Sequence, residues 1–470
     1  MKMLIVMLLV ASGCYSTEDN LGFSVVGEPR WALGFGGRGN DRAGYVAFDS
    51  IGDVVVAGYL WESTDQSIGL ITTSSFITKR VASDGAERWR IKLQGLTRES
   101  SIWIGAMDVT HNDEIVVAGA YGGTVDVGGQ TLSLSEPSPP SHGDTFIAKY
   151  RPDGTLLWAH GVGENSNLQP DALVIGSDDT VYVAGHFSHG TFVLDGHEYR
   201  EDVGDFDMVL LAYNVDGSLR WFHVLPGGGN AMPRSMAIAS NGDLLIAGIF
   251  TAPTSFGGAV INPNARVRSF FARYRSDGLY LESRAVGPVS PWTSAEPQLA
   301  VDGAGHIVLQ EFESDDSRSY DTDSAHSTMQ AFADDGTALW SKRMVNRGSS
   351  LPLLGRLLAT PNGLISSSSW ADGPYNSEDR GSVTGEMDVV AFDATGAVSV
   401  AQLGSRTWAA PTDTVLWDSA ASRGGEMAFT GQFAGKIDFG MGPIATHGQD
   451  DADVFIVVVN PPPTDCDASL

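Results

Sequence analysis

Tryptophan side chains offer the clearest candidates for ligand recognition in this sequence. Five of the eleven occupy a repeated strand position and need only a packing explanation. We expect the other six to lie in connections at one end of the fold, where they could stack on sugar rings or anchor a protein partner. The alternative is that each indole only packs against its own loop. The six predicted ligand-binding residues are Trp61, Trp103, Trp292, Trp370, Trp408 and Trp417.

Carboxylates near the predicted starts of inner strands could act as general acids or bases. They are Asp41, Asp171, Glu296 and Asp418. Acidic residues are abundant in this chain, so each one is a weak candidate. The sequence contains no nucleophile elbow, phosphate-binding loop or metalloprotease helix. Catalytic residues therefore remain unassigned, and the sequence favours a binding protein over an enzyme.

Two acidic segments and one histidine-rich segment could hold metal ions. The segments "ESDDSRSYDTDS" and "GQDDADVF" contain Glu313, Asp315, Asp316, Asp321, Asp323, Asp450 and Asp451. They lack the spaced pattern of a known calcium loop, so solvated charge is the favoured interpretation and Ca²⁺ the alternative. His186, His189 and His197 lack a clear fourth zinc ligand. We predict no cofactor and no structural metal.

The elements that must position these residues are short strands in a repeat. One column of the repeat reads "DVVVAG", "EIVVAG", "TVYVAG" and "DLLIAG", with weaker copies "HIVLQE", "LISSSS" and "EMAFTG". The copies recur about every 62 residues, which is typical of solenoids or propellers. A second motif, as in "FIAKYRPDGTLLW", has an Asp-Gly turn between two strands. Each repeat therefore predicts two hairpins, or four strands labelled A to D.

Four-stranded sheets repeated around an axis form a β-propeller, which leaves only short protected edges. The sequence predicts an all-β fold, a seven-bladed β-propeller of four-stranded blades. The last repeat runs into "PPP" without a strand D, whereas "WALGFGG" near the start has no partner. We therefore expect the N-terminal strand to close the ring by supplying strand D of the last blade.

Connection lengths predict which end of the propeller carries the binding site. The A-to-B and C-to-D turns are short, whereas B-to-C connections such as 120–144, 186–206 and 370–387 are long and varied. We call the end with the B-to-C and D-to-A connections the long-loop face. Variable loops on a rigid scaffold commonly carry binding sites, so we expect the ligand there.

The N-terminus predicts export. "MKMLIVMLLVASG" has a basic residue, a short apolar run and small residues before Cys14. "ASGC" resembles the bacterial lipoprotein signal, which implies acylation of Cys14 and anchoring at the outer membrane or cell surface. Simple secretion, with Cys14 and Cys466 forming a disulfide, is the alternative. The predicted segments are a signal peptide (1–13), a tether (14–30), the propeller (31–460) and a tail (461–470).

Several motifs resemble a known repeat family. "DTFIAKYRPDGTLLW", "VYVAGHFSHGT" and "GKIDFGMGPI" are similar to the β-propeller repeats of bacterial cell-surface proteins called SBBP repeats. The resemblance implies the fold and a surface location but little chemistry. The repeats with "VLQEF" and "SSSSW" depart from the pattern. "FADDGTALW" resembles the tryptophan-docking motif of quinone-dependent dehydrogenases, but those proteins typically have eight blades and an adjacent cysteine pair that this chain lacks.

These features together predict an anchored binding or scaffold module. The net charge of −28 disfavours nucleic acid and anionic lipid as partners, so membrane contact is expected only through the lipid anchor. We expect a monomer that binds a protein or polysaccharide on the cell surface. The first alternative is an extracytoplasmic enzyme acting on glycans, a lyase or hydrolase, and the second is a quinoprotein-like dehydrogenase.

Overall fold

A computed structural model of the 470-residue chain shows strands joined by turns and loops. Within the residues it describes there is no helix, and so none that could span a membrane. The described residues are 27–461 except 38, 66–69, 98–99, 135–142, 164–166, 189, 195, 202–205, 226, 228, 264–266, 291–296, 315–324, 346–352, 361–362, 372–384, 393–397, 404–413 and 449–451.

The strands are short, and most of them are fully or largely buried. Those of the first half are β1 (Pro29–Phe35), β2 (Arg42–Phe48), β3 (Val54–Asp65), β4 (Leu70–Arg80), β5 (Glu87–Gly95), β6 (Ser101–Val109), β7 (Ile115–Gly122), β8 (Thr124–Asp126), β9 (Thr131–Ser133), β10 (Asp144–Tyr150), β11 (Leu156–Val162), β12 (Gln169–Ile175), β13 (Val181–Phe187), β14 (Gly190–Leu194), β15 (His197–Glu201), β16 (Asp207–Tyr213) and β17 (Leu219–Leu225). Those of the second half are β18 (Ala231–Ile238), β19 (Leu244–Phe250), β20 (Val267–Tyr274), β21 (Tyr280–Ser290), β22 (Gln298–Val301), β23 (Ile307–Ser314), β24 (Ala325–Phe332), β25 (Ala338–Val345), β26 (Leu353–Thr360), β27 (Gly363–Ala371), β28 (Gly385–Phe392), β29 (Val398–Leu403), β30 (Val415–Ala421), β31 (Met427–Ala434), β32 (Lys436–Ile437), β33 (Ile444–Ala445) and β34 (Ala452–Val459).

The strands pair into antiparallel sheets that repeat along the chain. Four-stranded sheets have the orders β6-β7-β10-β11, β12-β13-β16-β17, β18-β19-β20-β21, β22-β23-β24-β25, β26-β27-β28-β29 and β30-β31-β34-β1, and a six-stranded sheet has the order β2-β3-β4-β5-β8-β9. The innermost strands contact one another in turn, from β2 to β6, β12, β18, β22, β26 and β30, and β30 contacts β2. This closed ring of inner strands is the arrangement of a β-propeller.

The all-β propeller predicted from the repeats is confirmed, but its description as seven four-stranded blades is wrong for the described residues. Six sheets have four strands, and the sheet that begins with β2 has six. The two extra strands, β8 and β9, form a hairpin in the connection after β7, and β8 pairs with β5. Buried Val125 and Val127 join the core beside that sheet. This B-to-C connection therefore covers the outer edge of the preceding sheet.

The N-terminal strand pairs with the last strand of the chain, as the sequence predicted. β1 runs antiparallel to β34, with Leu33 opposite Ile456. The strand begins at Pro29, before the predicted start of the propeller at residue 31. Trp31 packs in one core with Val46 of β2 and Ile456 of β34, so apolar burial joins the first sheet to the last.

The repeated outer-strand tryptophans and Asp-Gly turns form one contact between neighbouring sheets. Trp89 lies over Gly154 in the next C-to-D turn, where a Cβ would be 3.1 Å from the indole, and its Nε1 donates a hydrogen bond to the Pro152 carbonyl. Gly154 has a φ of 87°, a conformation that favours glycine. Trp31, Trp158 and Trp221 contact the following turns in the same way. Their predicted packing role is thus a contact between blades.

Candidate functional site: a polar and aromatic cluster around the axis

Six of the seven innermost strands carry a β-bulge near their first residues, and β22 is the exception. In β12, Pro170 pairs with Gly185 and Ala172 pairs with Ala184, which leaves Asp171 as an extra residue. Equivalent shifts in other inner strands leave Gly44, Gly105, Arg234 and Trp417 unpaired, and β26 has Gly355 and Arg356 within its shift. A bulge bends the strand and redirects side chains. Because inner strands begin after D-to-A connections, the bulges lie toward the long-loop face.

A glycine at the end of the repeated motif makes room for five of the six bulges in the described inner strands. At Gly185 an added Cβ would lie 2.3 Å from the Gln169 carbonyl oxygen, and at Gly248 it would lie 2.2 Å from the Met232 oxygen. Gly58, Gly119 and Gly431 face equivalent contacts of 2.0–2.1 Å. No other residue permits this close approach without backbone movement. The most regular feature of the repeat therefore supports the inner bulges.

The bulged and adjacent residues form a cluster across neighbouring inner strands. We call it the axial cluster, and it consists of Arg42, Tyr45, Asp108, Asp171, Arg234, Arg356, Trp417 and Asp418. Arg356 pairs with Asp418 at 2.9 Å, and its guanidinium carbon lies 5.8 Å from the Tyr45 ring centroid. Asp418 is 3% exposed, whereas Arg356 is 40% exposed. The Asp418 carboxylate is therefore buried between the inner strands, whereas the Arg356 side chain is partly exposed.

Backbone groups hold Asp418 in place. Its carboxylate accepts hydrogen bonds from the amides of Ser419 and of Val46 in the neighbouring inner strand, both at 2.8 Å. Tyr45 in turn donates a hydrogen bond of 2.5 Å to the Gly105 carbonyl of the next inner strand. These bonds cross from strand to strand around the ring. The polar groups are therefore preorganised by the scaffold.

A second polar group of the cluster centres on Asp171. Its carboxylate pairs with His186 Nδ1 at 2.6 Å and with an Arg234 amino group at 3.2 Å. His186 is largely buried and lies edge-on to Phe206, with ring centroids 4.8 Å apart. Arg234 is partly exposed, and its Nε is buried without a hydrogen-bond partner in the part of the chain that the structure describes. The Arg234 guanidinium thus retains capacity for a further acceptor.

Arg42 and Trp417 form the aromatic part of the cluster. The guanidinium carbon of Arg42 lies 3.2 Å from the Trp417 ring centroid, a cation–π contact between the first and last inner strands. The Trp417 Nε1 donates to Gln432 Oε1 at 3.3 Å. Trp103 is 37% exposed, and its ring lies 2.9 Å from the position that a Cβ on Gly105 would occupy. Two of the six predicted tryptophans therefore lie at or beside the cluster.

Burial changes the protonation behaviour of the cluster. Burial raises the pKa of Asp108 to about 6 against the hydrogen bonds that it accepts from the Val109 and Ile175 amides. Burial also raises the pKa of Asp418, although Arg356 opposes the effect. It raises the pKa of Tyr45 to about 12, again against nearby arginines. The Asp418 carboxylate raises the pKa of Arg356. Desolvation is the common cause of the raised pKa values of Asp108, Asp418 and Tyr45.

The remaining predicted residues have separate locations or lie outside the described side chains. Trp61 lies in β3, and its amide donates to Asp41 at 2.7 Å. Trp370 lies in β27, and its side chain is outside the described part. Trp292, Trp408 and Glu296 are also outside the described residues. Trp61, Trp103, Trp370 and Trp417 were expected in loops but lie in strands, because those strands continue pairing beyond the repeated core.

The acidic and histidine-rich segments, for which metal binding was the alternative interpretation, have different outcomes. Within the described residues, no three His, Cys, Asp or Glu side chains lie together as metal ligands. His186 pairs with Asp171, whereas His197 lies in the β14–β15 hairpin. His189 and the segment 315–324 are outside the described residues, as are Asp450, Asp451, Cys14 and Cys466.

Sequence reasoning missed the arginines and Tyr45. It named Asp171 and Asp418 only among many acids, and it selected the tryptophans by their exclusion from the repeat. The signal was present in segments such as "RAGYVAF", "QPDALVI" and "MPRSMAI", where one extra residue precedes the apolar column. An extra residue at the same place in several repeats indicates a bulge.

Comparison with known proteins shows similarity in the backbone fold but none in sequence families. No protein-family model matches the chain, and no curated protein matches it in sequence. Similar solved structures include the Pan2 WD40 domain of Neurospora crassa, at 9% identity and a TM-score of 0.47, with 93% of this chain and 96% of that chain covered. YCF48 bound to D1 peptide has 10% identity, a TM-score of 0.44 and coverage of 95% and 99%.

A further similar structure is a subtype N10 neuraminidase-like protein of A/little yellow-shouldered bat/Guatemala/060/2010. It has 9% identity and a TM-score of 0.36, with 92% of this chain and 100% of that chain covered. Similarities at this level concern the backbone alone. The assignment of the chain to the β-propeller class rests on its own sheet order and ring of inner strands.

Proposed function

We propose that this chain is an exported, lipid-anchored, monomeric β-propeller that binds a polysaccharide through the axial cluster. The export signal ending at Cys14 and the resemblance to SBBP repeats support a location at the outer membrane or cell surface. The contacts from inner strand to inner strand support a ring of seven blades in which the six-stranded sheet counts as one.

The observation that carries this proposal is the combination of side chains in the axial cluster. Partly exposed Arg356 and Arg234 are each held by a fixed carboxylate, and Trp417 and Tyr45 provide aromatic surfaces beside them. Sugars present hydroxyl pairs that bond to planar charged groups, and apolar ring faces that stack on aromatic rings. A rigid concave scaffold with a few fixed polar groups is the usual form of a small-ligand site.

Binding to polysaccharide arrays tests the proposal. A soluble form, residues 21–470, should bind at least one bacterial or host polysaccharide. Alanine variants of Trp103 and Trp417 should lose that binding, and the Trp292 and Trp408 variants test whether the predicted loop residues extend the site. Binding that survives all four substitutions would contradict the proposal. Absence of any polysaccharide binding would favour a protein partner, to be sought by crosslinking in intact envelopes.

A glycan-cleaving enzyme is the second candidate, and the shifted pKa of Asp108 favours it. A carboxyl group with a pKa of about 6 can donate a proton near neutral pH, as glycan cleavage requires. Incubation with each bound polysaccharide and analysis for new reducing or unsaturated ends would test this activity. Turnover that is lost in Asp108→Asn would support an enzyme, whereas intact polysaccharide after long incubation would leave the binding function alone.

A further inference from the structure

Two buried carboxylates lie close together where the first sheet meets the last. The hydrogen bonds described for them involve no residue of the axial cluster. Asp41 directly precedes β2, and Asp453 is in β34. Asp41 is 0% exposed and the Asp453 side chain 1% exposed. The Asp41 amide donates to the Ala452 carbonyl at 2.7 Å, which places the two acidic residues on adjoining backbone segments.

Gly36 shows how closely the two carboxylates approach each other. A Cβ added to Gly36 would lie 2.4 Å from Asp453 Oδ1 and 2.5 Å from Asp41 Oδ2. Both oxygens therefore approach the same side of the Gly36 backbone. A cation between two buried carboxylates offsets their mutual repulsion.

The two carboxylates differ in how their oxygens are satisfied. Asp41 accepts hydrogen bonds from the amides of Gly37 at 2.6 Å and Trp61 at 2.7 Å. The Oδ2 of Asp453 accepts from His447, through the amide at 3.0 Å and Nδ1 at 2.6 Å. The Oδ1 of Asp453 is buried without a hydrogen-bond partner in the described part of the chain, and it is the oxygen that faces Gly36 and Asp41.

We propose that Asp41 and Asp453 bind a Ca²⁺ ion beside Gly36. Ca²⁺ prefers carboxylate and carbonyl oxygens and accepts irregular geometry, and a buried carboxylate oxygen without a donor is the ligand it requires. Since no three acidic or histidine side chains converge among the described residues, backbone carbonyls and water complete the coordination. The ion joins Asp41, directly before β2, to β34 and so stabilises ring closure.

Thermal unfolding of the full chain with Ca²⁺ tests this site. After EDTA treatment and dialysis, added CaCl₂ should raise the Tm in a saturable manner, because an ion that binds only the folded chain stabilises it. Asp453→Asn and Asp41→Asn should remove the Ca²⁺-dependent shift. The matched control is Asp207→Asn, at the start of β16, where the carboxylate accepts the Gly227 amide at 2.9 Å. That variant should keep the shift.

Terbium luminescence provides a readout that does not depend on stability. The Trp61 side chain lies 3.0 Å from the position of a Cβ on Gly39, in the connection that would hold the ion. Tb³⁺ bound between Asp41 and Asp453 should therefore emit on tryptophan excitation, and Ca²⁺ should displace it. Trp61→Phe should lower the emission without removing the Tm shift. Equal Tm values in EDTA and CaCl₂, or a full shift in Asp453→Asn, would overturn the proposal.

Discussion

At the scale of single residues, the axial cluster depends on charges that the scaffold holds in place. Asp418 and Asp108 each accept two backbone amides, one from their own strand and one from the neighbouring inner strand. These bonds fix the carboxylates while burial raises the pKa of both. Hydrogen bonds thus stabilise the ring of inner strands, whereas the desolvation of its buried carboxylates destabilises it.

The raised pKa of Asp108 predicts a pH-dependent free energy of unfolding. Between about pH 4 and pH 6 the folded chain holds a proton on Asp108 that the unfolded chain has released. The free energy of unfolding should therefore fall as pH rises through this interval, by on the order of 2 kcal/mol from this group. In Asp108→Asn this part of the fall should disappear, as measured by urea unfolding at intervals of pH.

The control for this experiment is Asp153→Asn in an exposed turn. The Thr155 amide donates to Asp153 and holds the pKa of that carboxyl below its usual range, so the residue does not titrate between pH 4 and pH 6. This variant should retain the fall of the wild-type chain. An Asp108→Asn variant with the same pH dependence as the wild type would contradict the assignment of the raised pKa to Asp108.

At the scale of elements, the bulged inner strand and its facing glycine form one unit. The Ala-Gly motif reads as an ordinary buried strand in sequence, and its glycine has no evident purpose there. In the structure the glycine admits the carbonyl of the bulged strand, and the extra residue contributes to the axial cluster. Two sheets lack this glycine. The one with Glu311 in the motif column has a short inner strand, β22, with regular pairing, whereas β26 keeps a bulge opposite the serines of β27.

Gly185→Ala should disturb both stability and the site. The new Cβ would lie 2.3 Å from the Gln169 carbonyl oxygen, and backbone cannot rotate away as a side chain can. We expect a loss of roughly 1–3 kcal/mol in the free energy of unfolding, the usual range for overpacking. Denaturant unfolding measures it, with Gly303→Ala as the control because no atom lies within 4 Å of a Cβ there. Equal stability of the two variants would contradict the role of Gly185.

At the scale of the whole molecule, the repeated sequence pattern predicted the fold better than it predicted the candidate site. Hairpins, Asp-Gly turns, the packing of the outer-strand tryptophans and the pairing of the N-terminal strand followed from patterns of apolar residues and turn residues. The bulges did not, because a single extra residue is invisible to a period-two pattern and changes which side chains face the axis. The hairpins β8–β9, β14–β15 and β32–β33 were also missed, although the segments "GTVDVGGQTL", "GTFVLDGHEY" and "GKIDFGMGPI" resemble one another and follow the second strand of their sheets.

Ring closure by β1 predicts that the first strand is essential for a monomeric fold. Removal of residues 1–35 would leave β34, which is buried along its whole length, with an unpaired edge. Such an edge promotes association between chains. We expect aggregation or loss of cooperative unfolding, measured by size-exclusion chromatography and calorimetry. A chain that lacks only residues 1–26 serves as the control, and equal behaviour of the two would contradict closure by β1.

The proposed function requires that the ligand binds at the axial cluster near the long-loop face and not at the opposite end of the ring. The most direct measurement is the equilibrium affinity of paired arginine variants for an envelope polysaccharide. Arg42→Ala removes the guanidinium over Trp417, whereas Arg151→Ala removes an exposed arginine from a C-to-D turn at the opposite face. We expect at least a tenfold weaker affinity for Arg42→Ala, equivalent to about 1.4 kcal/mol, and an unchanged affinity for Arg151→Ala. Unchanged binding by Arg42→Ala together with weaker binding by Arg151→Ala would contradict the proposed function.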